Sequence, residues 1–190
     1  EALNDMQRAM ADVNHPVVEL IAPTGSGKTL AFALPALKAM GYPCGMPQTV
    51  IVAPSRELVL QIYEVIRPIA VGYKTVAFYG GHKVADEVNS LIMVPDIIVA
   101  TPGRLTDHIR RGRLRPGVRL KTLVIDEYDK QLELGFADEM KAIMRFYMGA
   151  ERVILTSATP IDEMPAYMPR VEPKVLDYKS SYEESPRSRM

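Results

Sequence analysis

Two short stretches of this chain hold residues whose types and spacing can do chemistry. The first is Ala22-Pro23-Thr24-Gly25-Ser26-Gly27-Lys28-Thr29. Small residues there let consecutive backbone N–H groups converge on phosphate oxygens, and a helix opening at Lys28 turns its positive end toward the anion. Lys28 adds a mobile charge for the outer phosphates, and the Thr29 hydroxyl can hold Mg²⁺. The strict pattern begins with Gly where this chain has Ala22. A Gly-rich turn that binds nothing would leave Lys-Thr at this spacing unexplained. The second stretch is Asp126-Glu127, directly after the apolar run Leu123-Val124-Ile125. Carboxylates at the carboxyl end of a buried strand stand where open α/β sheets bind ligands. Asp126 can hold Mg²⁺ through water, an ion that gives up its hydration shell reluctantly. Glu127 can polarise or deprotonate an attacking water. The two stretches together suggest hydrolysis of a nucleoside triphosphate; the competing role for the acids is to cap the helix that follows.

Positioning such groups requires a sheet whose strands end on a common edge. Runs rich in β-branched residues predict strands at Val17 to Ile21, Thr49 to Ala53, Lys74 to Tyr79, Asp96 to Ala100, Thr122 to Ile125 and Val153 to Leu155, with an edge strand at Val175 to Asp177. Apolar residues at three- and four-residue spacing predict helices near Lys28 to Met40, Ser55 to Val71, His82 to Leu91, Gly103 to Arg110 and Glu133 to Tyr147. Pro35 should kink the first of these. Strands alternating with helices imply a doubly wound α/β domain, its sheet mainly parallel with helices on both faces. A domain over 1–178 is expected, followed at 179–190 by a polar tail or interdomain linker.

The chain's 190 residues suit one domain. With 23 basic and 23 acidic residues, attraction to a polyanion must come from a local patch. The lone Cys44 can close no internal disulfide, which fits a reducing, cytoplasmic setting. Apolar runs fall short of the ~20 residues of a membrane span. The first residues lack a basic region followed by an apolar run, so no secretory signal is read there.

Taken in order, the motifs resemble the amino-terminal RecA-like domain of the DEAD-box RNA helicases of superfamily 2. Residues 22 to 29 look like motif I of this phosphate-loop NTPase family, and Pro54-Ser55-Arg56-Glu57-Leu58 like motif Ia with Ser in place of Thr. Gly80-Gly81 resembles the GG motif, Thr101-Pro102-Gly103-Arg104 motif Ib, Asp126-Glu127-Tyr128-Asp129 the name-giving tetrapeptide, and Ser157-Ala158-Thr159 motif III. The resemblance covers residues 7 to about 160. It implies ATP with Mg²⁺ as cofactors, nucleotide contacts at Thr24, Gly25, Ser26, Gly27, Lys28 and Thr29, and metal at Thr29 and Asp126. Gln7, 21 residues before Lys28, would read the adenine edge, with its aromatic partner upstream of Glu1. Asp129 would couple to Ser157 and Thr159. The departure is Tyr128, a bulky ring where the family has alanine.

The resemblance further implies single-stranded RNA held sequence-independently by its sugar-phosphate backbone, at Pro54, Arg56, Glu57, Gly80, Gly81, Thr101, Pro102, Gly103 and Arg104. Glycines for close approach, hydroxyls and helix amino ends suit that partner. Basic residues crowd from Arg104 to Lys121 against the single acid Asp107. The family completes its site with an arginine from a second RecA-like domain of the same parent chain, so this piece is expected to be a monomer that binds nucleotide and turns it over poorly. Two alternatives stand beside this reading: a superfamily 2 DNA translocase, and a non-catalytic scaffold with ATP as a structural ligand, which Tyr128 would favour. His15, His82 and His108 show no ligand spacing and are expected at the surface, and Met140, Met144 and Met148 along one core face of a helix.

Overall fold

A computed structural model of the chain describes residues 2–179. Seven strands form one parallel sheet: β1 (Val17–Ile21), β2 (Thr49–Val52), β3 (Thr75–Phe78), β4 (Ile97–Ala100), β5 (Thr122–Ile125), β6 (Arg152–Ser157) and β7 (Lys174–Asp177). Their spatial order is β3-β4-β2-β5-β6-β1-β7. The helices between them are α1 (Asp5–Asp12), α2 (Lys28–Ala39), α3 (Arg56–Ile69), α4 (Val84–Ser90), α5 (Pro102–Arg110), α6 (Tyr128–Glu133) and α7 (Ala137–Phe146). The polar tail read over 179–190 lies, apart from Lys179, outside the described residues.

The strands read as unbroken apolar runs because both faces of the sheet are covered. Along β2, Val50 and Val52 enter one core with Leu105, Met140 and Met144, while Ile51 and Ala53 enter the other with Met6, Phe32, Val59 and Ile62. The first core lies under α5 and α7 and the second under α1, α2 and α3. Three of the helices carry a local start signal. Asn4 and Gln7 close a capping box on α1, Ser55 accepts from Leu58 N–H at 3.3 Å, and Pro102 occupies the first turn of α5.

The strand order decides what can meet. β6 lies between β5 and β1, with Ile125 opposite Leu155 and Ile21 opposite Ser157. All strands run the same way, so the segments after β1, β5 and β6 leave one edge side by side. The segments after β2, β3 and β4 leave the other half of that edge.

Several expectations are corrected. The predicted Glu133 to Tyr147 helix is two helices, because Gly135, at φ +85°, turns the chain after α6 and α7 begins only at Ala137. Met140 and Met144 are buried but Met148, beyond the end of α7, is 82% exposed. His82 and Lys83 lie ahead of α4 and not inside it. His108 is fully buried, not at the surface, because it faces the buried carboxylate of Glu87. α1 and α6 are additional to the expected elements.

Ile154 sits in the central strand β6 and is fully buried. Ile154→Ala is expected to cost about 2–5 kcal/mol of unfolding free energy, measured as a lower urea midpoint at unchanged slope.

Candidate nucleotide and nucleic-acid sites

The loop after β1 is held from three sides. Ala22 N–H donates to Ser157 O at 3.0 Å, Asn4 Nδ2 to Ser26 O at 3.1 Å, and Gln7 Nε2 to Gly27 O at 3.1 Å. Gly25 and Gly27 adopt φ +79° and +83°, which L side chains rarely reach. At Gly27 a Cβ would also lie 2.8 Å from Gln7 Nε2. The loop ends in Lys28, the first residue of α2 and 7% exposed, whose Nζ stands 3.3 Å from Glu127 Oε1 and 3.9 Å from Asp126 Oδ1.

Asp126 leaves β5 fully enclosed. Thr156 Oγ1 donates to its Oδ1 at 2.5 Å and accepts the Glu127 N–H at 2.9 Å. Gln131 Nε2 holds the Asp126 and Val52 carbonyls at 2.7 and 3.1 Å. Burial pushes the Asp126 carboxyl above its usual range; the Lys28 charge and the Thr156 hydrogen bond pull the other way without cancelling it. Glu127, at φ +49°, is the one non-glycine residue with positive φ among those described. Strain of that kind is characteristic of functional positions. Tyr128 turns away from the edge, is 4% exposed and joins the core beside Tyr167 and Met168. Its phenol is raised by burial first and then by a hydrogen bond to Tyr167. Asp129 Oδ2 accepts from Ala158 N at 3.2 Å and Thr159 Oγ1 at 3.3 Å, so the neighbouring ring does not displace this contact. Ser157 Oγ donates to Thr159 O. A cavity of about 290 Å³ brings Thr24, Lys28, Glu127, Asp129 and Thr159 together.

The arrangement fits a magnesium-bound triphosphate. Two left-handed glycines shape an amide-lined cradle, and the donor set beside it is one hydroxyl, Thr29, and one enclosed carboxylate, Asp126. No cluster of three metal-ligating side chains occurs among the described residues, so Mg²⁺ would take its remaining oxygens from phosphate and water, as this ion prefers.

A second cavity, about 450 Å³, opens on the other half of the edge and is lined by Pro54, Ser55, Arg56, Gly80, Thr101, Gly103, Arg104, Asp107 and Phe136. Arg56 lies over the Tyr79 ring at 5.2 Å. Gly81, at φ +93°, leaves room for the same guanidinium, since a Cβ there would meet Arg56 Nη1 at 2.9 Å. Arg104 donates from Nε and Nη2 to Tyr79 O at 3.3 and 3.2 Å. Behind it, Glu87 is 2% exposed and accepts from His108, His82 and Tyr79 N–H. Burial alone would raise the Glu87 carboxyl; the two histidines, the Tyr79 amide and the Arg104 charge outweigh it and hold it below its ordinary value.

The family model for DEAD/DEAH box helicases matches residues 4–166. The chain belongs to the DEAD/DEAH box helicase family. Among its DEAD-box relatives, "ATP-dependent RNA helicase DeaD" of Escherichia coli K12 is 37% identical over 175 residues, 87% of this chain and 27% of that protein. "DEAD-box ATP-dependent RNA helicase CshA" of Geobacillus kaustophilus is 34% identical over 163 residues, 84% of this chain and 35% of that protein. A DEAD box protein from the hyperthermophile Methanococcus jannaschii superposes with TM-score 0.80 at 28% identity, covering 93% of this chain and 50% of that one. The yeast DEAD-box splicing factor Prp28 gives 0.74 at 31%, covering 83% and 40%. The DEAD-box domain thus spans about a third or less of the curated relatives compared here. Its sheet is the RecA-like one of these neighbours. No helix among its described residues is long and apolar enough to cross a membrane.

Within this DEAD-box fold the sequence-predicted residues fall into two groups on one edge. Thr24, Lys28, Glu127, Asp129 and Thr159 line the first cavity, with Asp126 and Ser157 buried beside them and Gln7 bracing the loop at Gly27, and six of the nine backbone-contact candidates line the second. Gly81 supports that second cavity from behind. Glu57 is exposed on the first turn of α3, and Pro102 is buried as the first residue of α5. Sequence reasoning missed Thr156, Gln131, Glu87 and Phe136. Thr156 had a signal in its place directly before Ser157; Gln131 and Glu87 looked like ordinary polar helix residues.

Gly27→Ala is expected to cost about 1–3 kcal/mol, since it combines strain at positive φ with a clash at Gln7, and to weaken nucleotide binding; thermal melting and nucleotide titration check both. The lowered Glu87 carboxyl adds stability above its ordinary value of 4.5 that is lost as pH falls below it. In Glu87→Gln that part of the acid slope should be absent, as read from urea midpoints between about pH 6 and pH 3.

Proposed function

We propose that this chain is the nucleotide-binding half of an ATP-dependent RNA helicase, which uses Mg-ATP binding and hydrolysis to unwind or remodel RNA. The observation that carries it is the meeting of Lys28 with Glu127 and Asp126 at 3.3 and 3.9 Å, across a sheet edge that also presents the second cavity. Lys28, on a stem packed under the loop, would swing its ammonium to the β- and γ-phosphates, while the loop amides and the amino end of α2 hold the chain of phosphates. Bound between Thr29 and Asp126, Mg²⁺ would neutralise charge developing on the phosphate oxygens. Glu127 would orient the attacking water and take its proton, and Thr156 keeps Asp126 and the Glu127 backbone in register for this.

Gln7 supports an adenine preference. Its Oε1 accepts the Asn4 N–H at 3.0 Å and its Nε2 donates to Gly27 O. A primary amide still has one lone pair and one N–H to give, the complement of the adenine N6 and N7 pair. Asp129, in reach of Ala158 and Thr159, would pass the state of the nucleotide site to the segment after β6. Among the described residues no arginine lines the first cavity, and an arginine finger is worth ~10³–10⁵ in rate. The chain alone would therefore bind nucleotide and hydrolyse it slowly, with the finger supplied by a second RecA-like domain of the parent protein. Arg56, Gly80, Thr101 and Gly103 offer charge, close approach and helix amino ends to a sugar-phosphate backbone.

Titration with ATP and GTP should show tighter ATP binding in the parent and equal affinities in Gln7→Ala. In the intact protein, Glu127→Gln should keep nucleotide binding and lose about 10²–10⁴ of RNA-stimulated turnover. Unchanged turnover would favour the scaffold reading, and stimulation by DNA in preference to RNA the translocase.

A further inference from the structure

Glu87 is a buried carboxylate with no place in the nucleotide machinery, and of its partners Arg104 lines the second cavity while Tyr79 directly precedes Gly80 on its wall. Its Oε2 accepts from Tyr79 N–H at 3.0 Å and pairs with His82 Nε2. Its Oε1 lies 2.6 Å from His108 Nε2 and 3.5 Å from Arg104 Nε. Arg104, only 13% exposed in its side chain, donates from that same Nε and from Nη2 to Tyr79 O. One carboxylate thus fastens three elements: the turn Tyr79–Gly81, helix α4 and the first turns of α5. The His82 ring stacks on Tyr79 at 4.1 Å, and Arg56 lies over that same Tyr79 ring.

Resting on the RNA reading above, we propose that Glu87 is a positioning residue for the RNA backbone, acting through Arg104 and the Tyr79–Gly81 turn without touching RNA. An enclosed anion could only repel a phosphate, so its value to binding lies in what it orients. Taking a carboxylate out of water is costly unless several donors answer it. Here the donors are the groups that set the height of Gly80 and Gly81 and the direction of the Arg104 guanidinium. The side chains of Arg56 and Arg104 therefore play unequal parts. Arg56 offers its charge to the cavity, while Arg104 is tied to the turn by two of its N–H groups and completes the wall.

The test is RNA binding by the intact protein, read as fluorescence anisotropy of a labelled single-stranded oligonucleotide with Mg-nucleotide present, alongside nucleotide affinity and thermal melting. In Glu87→Gln the amide oxygen can still accept from Tyr79, and its N–H can donate to the other tautomer of His108, so the turn is kept while the attraction for Arg104 is lost. RNA affinity should fall about five- to tenfold, the scale of one ordinary polar contact, at unchanged nucleotide affinity. Glu87→Gln combined with Arg104→Ala should bind no more weakly than Arg104→Ala alone, because the two act as one unit. Parent-like RNA binding in Glu87→Gln, or single effects that multiply in the double variant, would overturn the proposal. If Glu87→Gln does not fold, Arg104→Lys decides: it keeps the charge but cannot span Tyr79 O and Glu87 together, so parent-like RNA binding by it overturns the positioning role. Parent-like binding by both Arg56→Ala and Arg104→Ala would instead sink the RNA reading of this cavity.

Discussion

Lys28 is a cation taken almost wholly out of water, and the two carboxylates that compensate it come from a strand two places away in the sheet. That enclosed trio constrains everything around it. A buried ammonium is tolerable only with anions at hand, so the bend after β1 and the end of β5 have to leave the same edge, separated by β6. Parallel strands joined by right-handed crossovers provide this automatically. The same geometry leaves β6 to furnish Thr156, whose hydroxyl binds the Asp126 carboxylate and the Glu127 amide at once. Burial raises the Asp126 carboxyl even with Lys28 and Thr156 beside it.

The amino-terminal helix extends this logic to the loop. Gln7 uses one half of its amide to close the α1 capping box and the other to hold Gly27 O. A contact that looks like local helix capping is therefore also a brace on the phosphate bend. Glycine at 27 is required twice over, by its positive φ and by the amide that lies where a methyl group would go.

Much of this was readable beforehand. The strands were placed within a residue or two because runs such as Thr49 to Val52 are β-branched and continuous, and the two chemical stretches were visible because their residue types are unusual at such spacing. What escaped notice depended on contacts between distant parts. α6 is too short to show a period, and the break at Gly135 was hidden inside an apolar pattern that continues through it. His108 looked like a surface residue because the anion that makes its burial tolerable is 21 positions away. Gln131 gave no sign that it would hold two strand-end carbonyls. Tyr128 stood out as a bulky departure from the family, yet its ring packs in the core with Met168 and Tyr167 and leaves the Asp129 contact with Thr159 in place.

Three consecutive residues are thus fastened in three directions: the Glu127 amide to β6, the Tyr128 ring into the hydrophobic interior, and the Asp129 carboxylate to the chain at 158 and 159. With Glu127 in a left-handed conformation, one residue separates a strained backbone position from a side chain tied to the segment after β6.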